Sequence, residues 1–196
     1  TGFEKLITMK SMDFEEYLWA IGLEKSVIDY VKKSFEDKTQ VIPNVNEKLM
    51  KYFKEYLCVG GLPDVVNVFN LTHDLTQVRE IQQSILESYK DDFGKHLNKD
   101  EIQEINQTEL TKIMQIYKSI PNQLAKENKK FQYKLVASNA KARSHSNAIT
   151  WLEEFGLICK CHNLNNLELP LDGNKDEDIF KIYVTDTGLF IAMLED

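Results

Sequence analysis

Apolar residues recur at spacings of three and four along most of this chain, and they alternate with polar ones only near its end. Phe14, Tyr17, Leu18 and Ile21 share one helical face. Asp13 stands before them as an N-cap with Glu16 three positions on, a box-like pairing that satisfies free N–H groups. Val27, Ile28, Val31 and Phe35 predict a second helix over Leu23 to Phe35, with Pro43 closing the loop that follows. A third is predicted from Asn46 to Val59, with Leu49, Met50, Phe53, Tyr56 and Leu57 inward. Pro63 to Phe69 gives a short fourth helix, and Asp74 to about Phe93 the longest, striped by Val78, Ile81, Ile85, Leu86 and Tyr89. Ahead of all these, Phe3 to Met9 reads as a short strand.

The pattern changes near Thr108. Leu110, Ile113, Met114 and Tyr117 predict a helix ending near Ser119-Ile120, where Ser119 caps a further short helix with Pro121 in its first turn and Leu124 inward. Phe131 to Val136 reads as extended. Ala142 to Phe155 is helical through Ala148, Trp151, Leu152 and Phe155, and Gly156 ends it. Strand-like runs follow at Leu157 to Leu164 and Ile179 to Val184, the latter alternating Phe180, Ile182 and Val184 with Lys181 and Tyr183. A polar loop over 165–178 separates them and carries Asp172, Asp176, Glu177 and Asp178. The expected fold is therefore mainly α: a helical bundle, then a winged helix, the helix-turn-helix variant with a small β-hairpin wing. Gly188 to Leu194 begins one last helix.

The most informative interruption is Gly60-Gly61-Leu62-Pro63, directly after the apolar run Tyr56-Leu57-Cys58-Val59. A glycine there can take positive φ at a helix end without a Cβ penalty, and Pro63 suits the first turn of the next helix. Gly60, Gly61 and Pro63 thus read as a structural corner fixing the angle between helices. No Gly-Lys-Ser/Thr follows, so the glycines are not a phosphate loop.

Charge sharpens the picture. The chain of 196 residues has a net charge of −7, which speaks against wholesale coating of nucleic acid. Residues 1–107 carry 13 Lys/Arg against 19 Asp/Glu, a net of −6, whereas 108–186 carry 11 against 10, a net of +1. Within that second part Lys126, Lys129, Lys130, Lys134, Lys141 and Arg143 face only Glu127. In a winged helix these cations, with His145 and Asn147 near the start of the third helix, are candidates to hold DNA phosphates. The acidic loop between the strands argues the other way, toward a solvated face or a protein interface.

Other chemistry finds little support. Cys58, Cys159 and Cys161 are too few and too oddly placed for a disulfide framework. Cys159 and Cys161 point one way on a strand and His162 the other, so the three do not converge on a metal, and buried thiols in a hairpin are expected. Asp91-Asp92 ends a long helix and is read as solvating it or pairing with Lys95. There is no Ser-His-Asp order with supporting glycines, no His-Glu-x-x-His and no dinucleotide fingerprint. No catalytic residue, metal ligand or cofactor is expected in the chain itself. No signal sequence opens it and no apolar run approaches a membrane span, so a reducing cytoplasm is the expected compartment.

Several blocks taken together resemble a large prokaryotic family of AAA-type P-loop ATPases. They are Met12 to Ala20; Tyr56 to Val66; Arg79-Glu80-Ile81-Gln82; Ser88-Tyr89 followed by Asp92 and Lys95; Ser119 to Phe131; and Phe180 to Tyr183 with Asp186-Thr187-Gly188-Leu189. In that family a nucleotide-binding core is followed by a helical and winged-helix region, and then by a domain similar in fold to PD-(D/E)XK nucleases. The chain lacks the phosphate-loop motif, so none of the family's nucleotide-binding residues transfers to it. The resemblance implies that 1–11 is the last strand of an ATPase core, 12–107 the helical lid, 108–186 the winged helix and 187–196 the start of a following helix. It implies ATP and Mg²⁺ as cofactors of the parent, with the P-loop core and the nuclease-like domain as partners. It further implies a non-catalytic regulatory role that couples nucleotide state to a module facing duplex DNA or a client protein.

Overall fold

The computed structural model describes residues 9–97 and 103–194, with side chains described for all of these except 92–97 and 103–106. The strand expected over Phe3 to Met9 lies outside the described residues but for Met9, and so do the side chains of Asp92 and Lys95. The described elements are α1 (Phe14–Ala20), α2 (Lys25–Glu36), α3 (Pro43–Val59), α4 (Pro63–Thr72), α5 (Leu75–Leu97), α6 (Gln103–Leu124), α7 (Ala142–Glu154), β1 (Ile158–Leu164), β2 (Lys175–Val184) and α8 (Thr187–Met193). Short 3-10 turns occupy Tyr133–Leu135 and Leu171–Asn174. Two compact units result. The first runs up to Gln82 and takes in Asp186–Ile191, and the second holds Gln83–Thr185 and the residues from Ala192 onward.

In the first unit α1 packs on α3 and α4. Its N-terminus closes as a reciprocal box, with Glu16 N donating to Asp13 Oδ1 and Asp13 N to Glu16 Oε2, both at 2.9 Å. Tyr17 and Leu18 are buried, as are Val59, Val65, Val66, Phe69 and Val78 in the core of this unit. Pro43 opens α3 rather than closing the loop before it, because a first-turn residue has no use for the missing N–H. The stripe of α2 differs from the expected one. Phe35 is 86 % exposed while Ser34 is buried. The helix end explains this: Lys38 adopts φ 53 and Thr39 N donates to Ser34 O at 2.8 Å, which folds the chain back over the Ser34 side. Met50, Phe53 and Leu57 on α3 are also partly exposed rather than inward.

Tyr17 is wholly buried, and its hydroxyl has no hydrogen-bond partner among the described residues. Burial first, and then the nearby Glu55 and Tyr52, push its phenol well above the usual tyrosine range. Tyr17→Phe therefore leaves stability at pH 7 within about 1 kcal/mol, because no hydrogen bond is lost. In the unfolded chain the phenol ionises near pH 10, whereas in the folded one it keeps its proton. The folded state then binds more protons, and stability falls as pH rises above that point. Urea unfolding at pH 7 and at alkaline pH checks both parts: the Phe variant loses less stability than the wild type above about pH 10.

In the second unit α6 packs on α7 and β2, and α7 on β1. The strands pair antiparallel, Ile158 with Val184, Cys159 with Tyr183, Lys160 with Ile182, Cys161 with Lys181 and His162 with Phe180. After His162 the register shifts, so that Asn163 meets Asp176. Ile158, Phe180 and Ile182 face the core with Ile113, Ile116, Ile120, Ile149 and Leu152. Lys160 reaches Glu153 of α7 at 2.9 Å.

Three expectations change in this unit. α6 is one helix through Pro121 rather than two. Proline removes a single N–H, and Ala125 N still donates to Pro121 O at 3.0 Å. Ser119 consequently caps nothing, and its hydroxyl donates to Ile116 O at 2.7 Å. The stretch expected to be extended over 131–136 turns into 3-10 geometry after a single sheet-like bond, Phe131 N to Phe180 O at 2.8 Å. β2 starts earlier than expected, at Lys175, inside the polar loop. Among the described residues no helix is long and apolar enough to cross a membrane.

Candidate functional site

The Gly-Gly corner is a buried joint. Gly60 caps α3 at φ 80, its N–H bonded to Tyr56 O at 2.8 Å. A non-glycine residue would be strained at that φ. Gly61 O accepts from Met12 N at 2.8 Å, and Tyr56 Oη donates to Met12 O at 2.8 Å. Gly61 N donates to Asp186 Oδ2 at 2.8 Å, while Asp186 Oδ1 accepts from Leu189 N at 2.9 Å and so opens α8. Gln82 spans the remaining side: its Nε2 donates to Cys58 O at 3.0 Å and Val59 O at 2.9 Å, and its Oε1 accepts from Arg79. Gly188 lies so near Val59 that a Cβ would fall 2.6 Å from its carbonyl carbon. Thus three separated stretches, 56–66, 79–82 and 186–189, meet at one point within the first unit. Asp186 and Gln82 build that point; both lie in blocks that carry the family resemblance, but the sequence assigned neither a role. The one local signal for Asp186 was its place before Thr187-Gly188, where an aspartate suits a helix N-cap.

The basic residues lie elsewhere, on the connection from α6 to α7 within the second unit. Lys126, Lys129 and Lys130 follow α6, Lys134 sits in the 3-10 turn, Lys141 is the N-cap residue of α7 and Arg143 is in its first turn. All are exposed except Lys130, which is half-buried. Among the described residues none of the six has an ion-pair partner. Asn147 is exposed on α7. His145 departs from the set, being 5 % exposed, with Nδ1 2.8 Å from Ser144 Oγ and its ring edge-on to Tyr133. It shares the inward stripe of Ala148, Ile149 and Leu152, so a phosphate cannot reach it from the surface.

A small buried polar network anchors this connection. Gln123 Nε2 donates to Ser119 Oγ at 2.9 Å, and Gln123 Oε1 accepts from Gln132 N at 2.7 Å. Between those fixed points the chain over 125–130 is held out toward solvent. On the hairpin, Lys175 pairs with Asp172 at 2.8 Å. The hydrogen bond between them holds the Asp172 carboxyl below its usual range and the Lys175 ammonium above its own. Asp176, Glu177 and Asp178 leave the rest of that end acidic.

Cys159 and Cys161 are exposed, not buried as expected, because the odd positions of β1 face away from the side on which Ile158 packs. Among the described residues no group of three or more His, Cys, Asp or Glu is placed to hold a metal.

Fold and sites together define a mainly helical protein with, among the described residues, one antiparallel hairpin, a buried glycine–aspartate joint and a basic interhelical connection. Residues 50–196 match the family model described as Domain of unknown function (DUF8612), and the chain belongs to that family. The matched span begins inside α3 and takes in the corner, Gln82, the basic connection and Asp186. No curated protein and no solved structure matches the chain.

Proposed function

We propose that the chain is a non-catalytic regulatory and interaction region of a cytoplasmic AAA-type ATPase, in which α6, α7 and the hairpin act as a winged-helix module on duplex DNA. The observation that carries the DNA reading is the run of solvent-facing cations from Lys126 to Arg143, none ion-paired among the described residues, in a chain whose net charge is −7. Such a run attracts phosphates in spite of the overall charge, since local potential governs encounter. The joint of Gly61 with Asp186 supports the regulatory half of the reading, because a lid that transmits motion needs a rigid corner. ATP and Mg²⁺ belong to the P-loop core of the parent, which with its nuclease-like domain is the proposed intramolecular partner.

A second reading follows from the acidic hairpin end, which repels DNA where a wing would touch it: a scaffold that grips a client protein. Fluorescence anisotropy with a labelled random-sequence duplex separates the two. Under the DNA reading Lys129→Ala, Lys130→Ala and Arg143→Ala combined weaken binding at low salt and lower the salt slope by about 3. Equal binding by wild type and triple variant contradicts it.

A further inference from the structure

The outer face of the hairpin carries chemistry that the DNA reading does not use. Cys159 and Cys161 occupy alternate, exposed positions of β1, in the regularly paired part of the strand before the register shift at His162. A strand rise of about 3.3 Å per residue sets their Cα atoms about 6.6 Å apart on one face. That spacing lets two side chains lean together on a shared atom. Directly across stand Tyr183, opposite Cys159, and Lys181, opposite Cys161, so Lys181 brings an ammonium to the same face. His162 points to the inner side, where its ring meets Phe180 and its Nδ1 lies 3.2 Å from Asp176 O.

We propose that Cys159 and Cys161 form a two-thiolate site for Cu(I). Ligand number selects the metal. Structural zinc requires four ligands, commonly sulfur and imidazole, and among the described residues no third His, Cys, Asp or Glu joins a group that could supply them. Cu(I) is soft, favours thiolate and is content with two sulfurs. On binding, each thiol releases its proton to solvent as its Cu–S bond forms, and the copper stays monovalent. The resulting bis-thiolate centre carries one net negative charge, which the facing Lys181 offsets. Both cysteines are exposed, so a copper donor reaches them from solvent.

The test uses the whole chain, reduced and anaerobic, titrated with Cu(I) supplied as its bicinchoninate complex. Wild type withdraws one Cu(I) per monomer, and copper-edge absorption shows two sulfur ligands. Cys159→Ser and Cys161→Ser each lose at least about a hundredfold in affinity, the scale on which a linked second ligand raises avidity. Cys58→Ser keeps wild-type affinity, and Lys181→Glu, which leaves both sulfurs in place, binds more weakly. Unchanged circular dichroism confirms that the surface variants fold. Wild-type affinity in either β1 serine variant overturns the site. So does loss in Cys58→Ser, or one copper per two chains with a dimer in light scattering.

Discussion

Gly61→Ala destabilises the first unit by about 3 kcal/mol or more, at or beyond the upper end of what overpacking usually costs. The added Cβ would lie 2.7 Å from Met12 N and closer still to Met12 O. Both are backbone atoms, and both are already held, Met12 N by Gly61 O and Met12 O by Tyr56 Oη. No flexible side chain can swing aside, so either the segment before α1 lifts off or the corner opens. Gly173→Ala provides the contrast, since a Cβ there meets nothing within 4 Å. Its unfolding midpoint in urea stays at the wild-type value, while that of Gly61→Ala falls steeply. Equal midpoints for the two variants would remove the tight approach of Met12 from the account.

Asp186→Ala is the second large loss, about 3 kcal/mol, since hydrogen bonds to charged groups contribute about 1.5–3 kcal/mol each and a helix cap about 1 kcal/mol, without full additivity. The carboxylate is buried and serves two N–H donors 128 residues apart, those of Gly61 and Leu189. Alanine strands the Gly61 N–H in the interior and uncaps α8. Asp186→Asn keeps one acceptor oxygen but turns an amide N–H₂ toward one of the donors, so it falls between wild type and alanine. Urea unfolding of the three proteins orders them Asp, Asn, Ala. An alanine variant within about 0.5 kcal/mol of wild type, the usual range for a surface change, would make the joint incidental.

Local chemistry was the part legible in the sequence. The Asp13–Glu16 box, the helical face of α1 and Pro63 at the start of α4 rest on neighbours within four positions, and the structure shows each of them. Of the face expected for α7, Ala148 and Leu152 are buried whereas Phe155 is exposed. The corner announced itself through Gly60-Gly61, yet its partner did not, because no periodicity links residue 61 to residue 186. His145 was legible and misassigned: its spacing of three, four and seven from Ala148, Ile149 and Leu152 marked an inward position. The two thiols repeat the lesson on a strand, where a buried Ile158 sends Cys159 and Cys161 outward. Pro121 misled for a different reason. Its ring stops a helix only when the freed carbonyl and the ring itself are not accommodated, and the apolar face through Ile113, Ile116, Tyr117 and Ile120 is packed well enough to carry α6 past it.

The measurement that bears most directly on the central claim is the salt dependence of duplex binding by the whole chain, followed by anisotropy from low to physiological salt. If the six cations from Lys126 to Arg143 each hold a phosphate, log K falls against log salt with a slope of about −5. Flat anisotropy at every salt concentration would contradict the DNA reading and leave the basic connection to a protein partner.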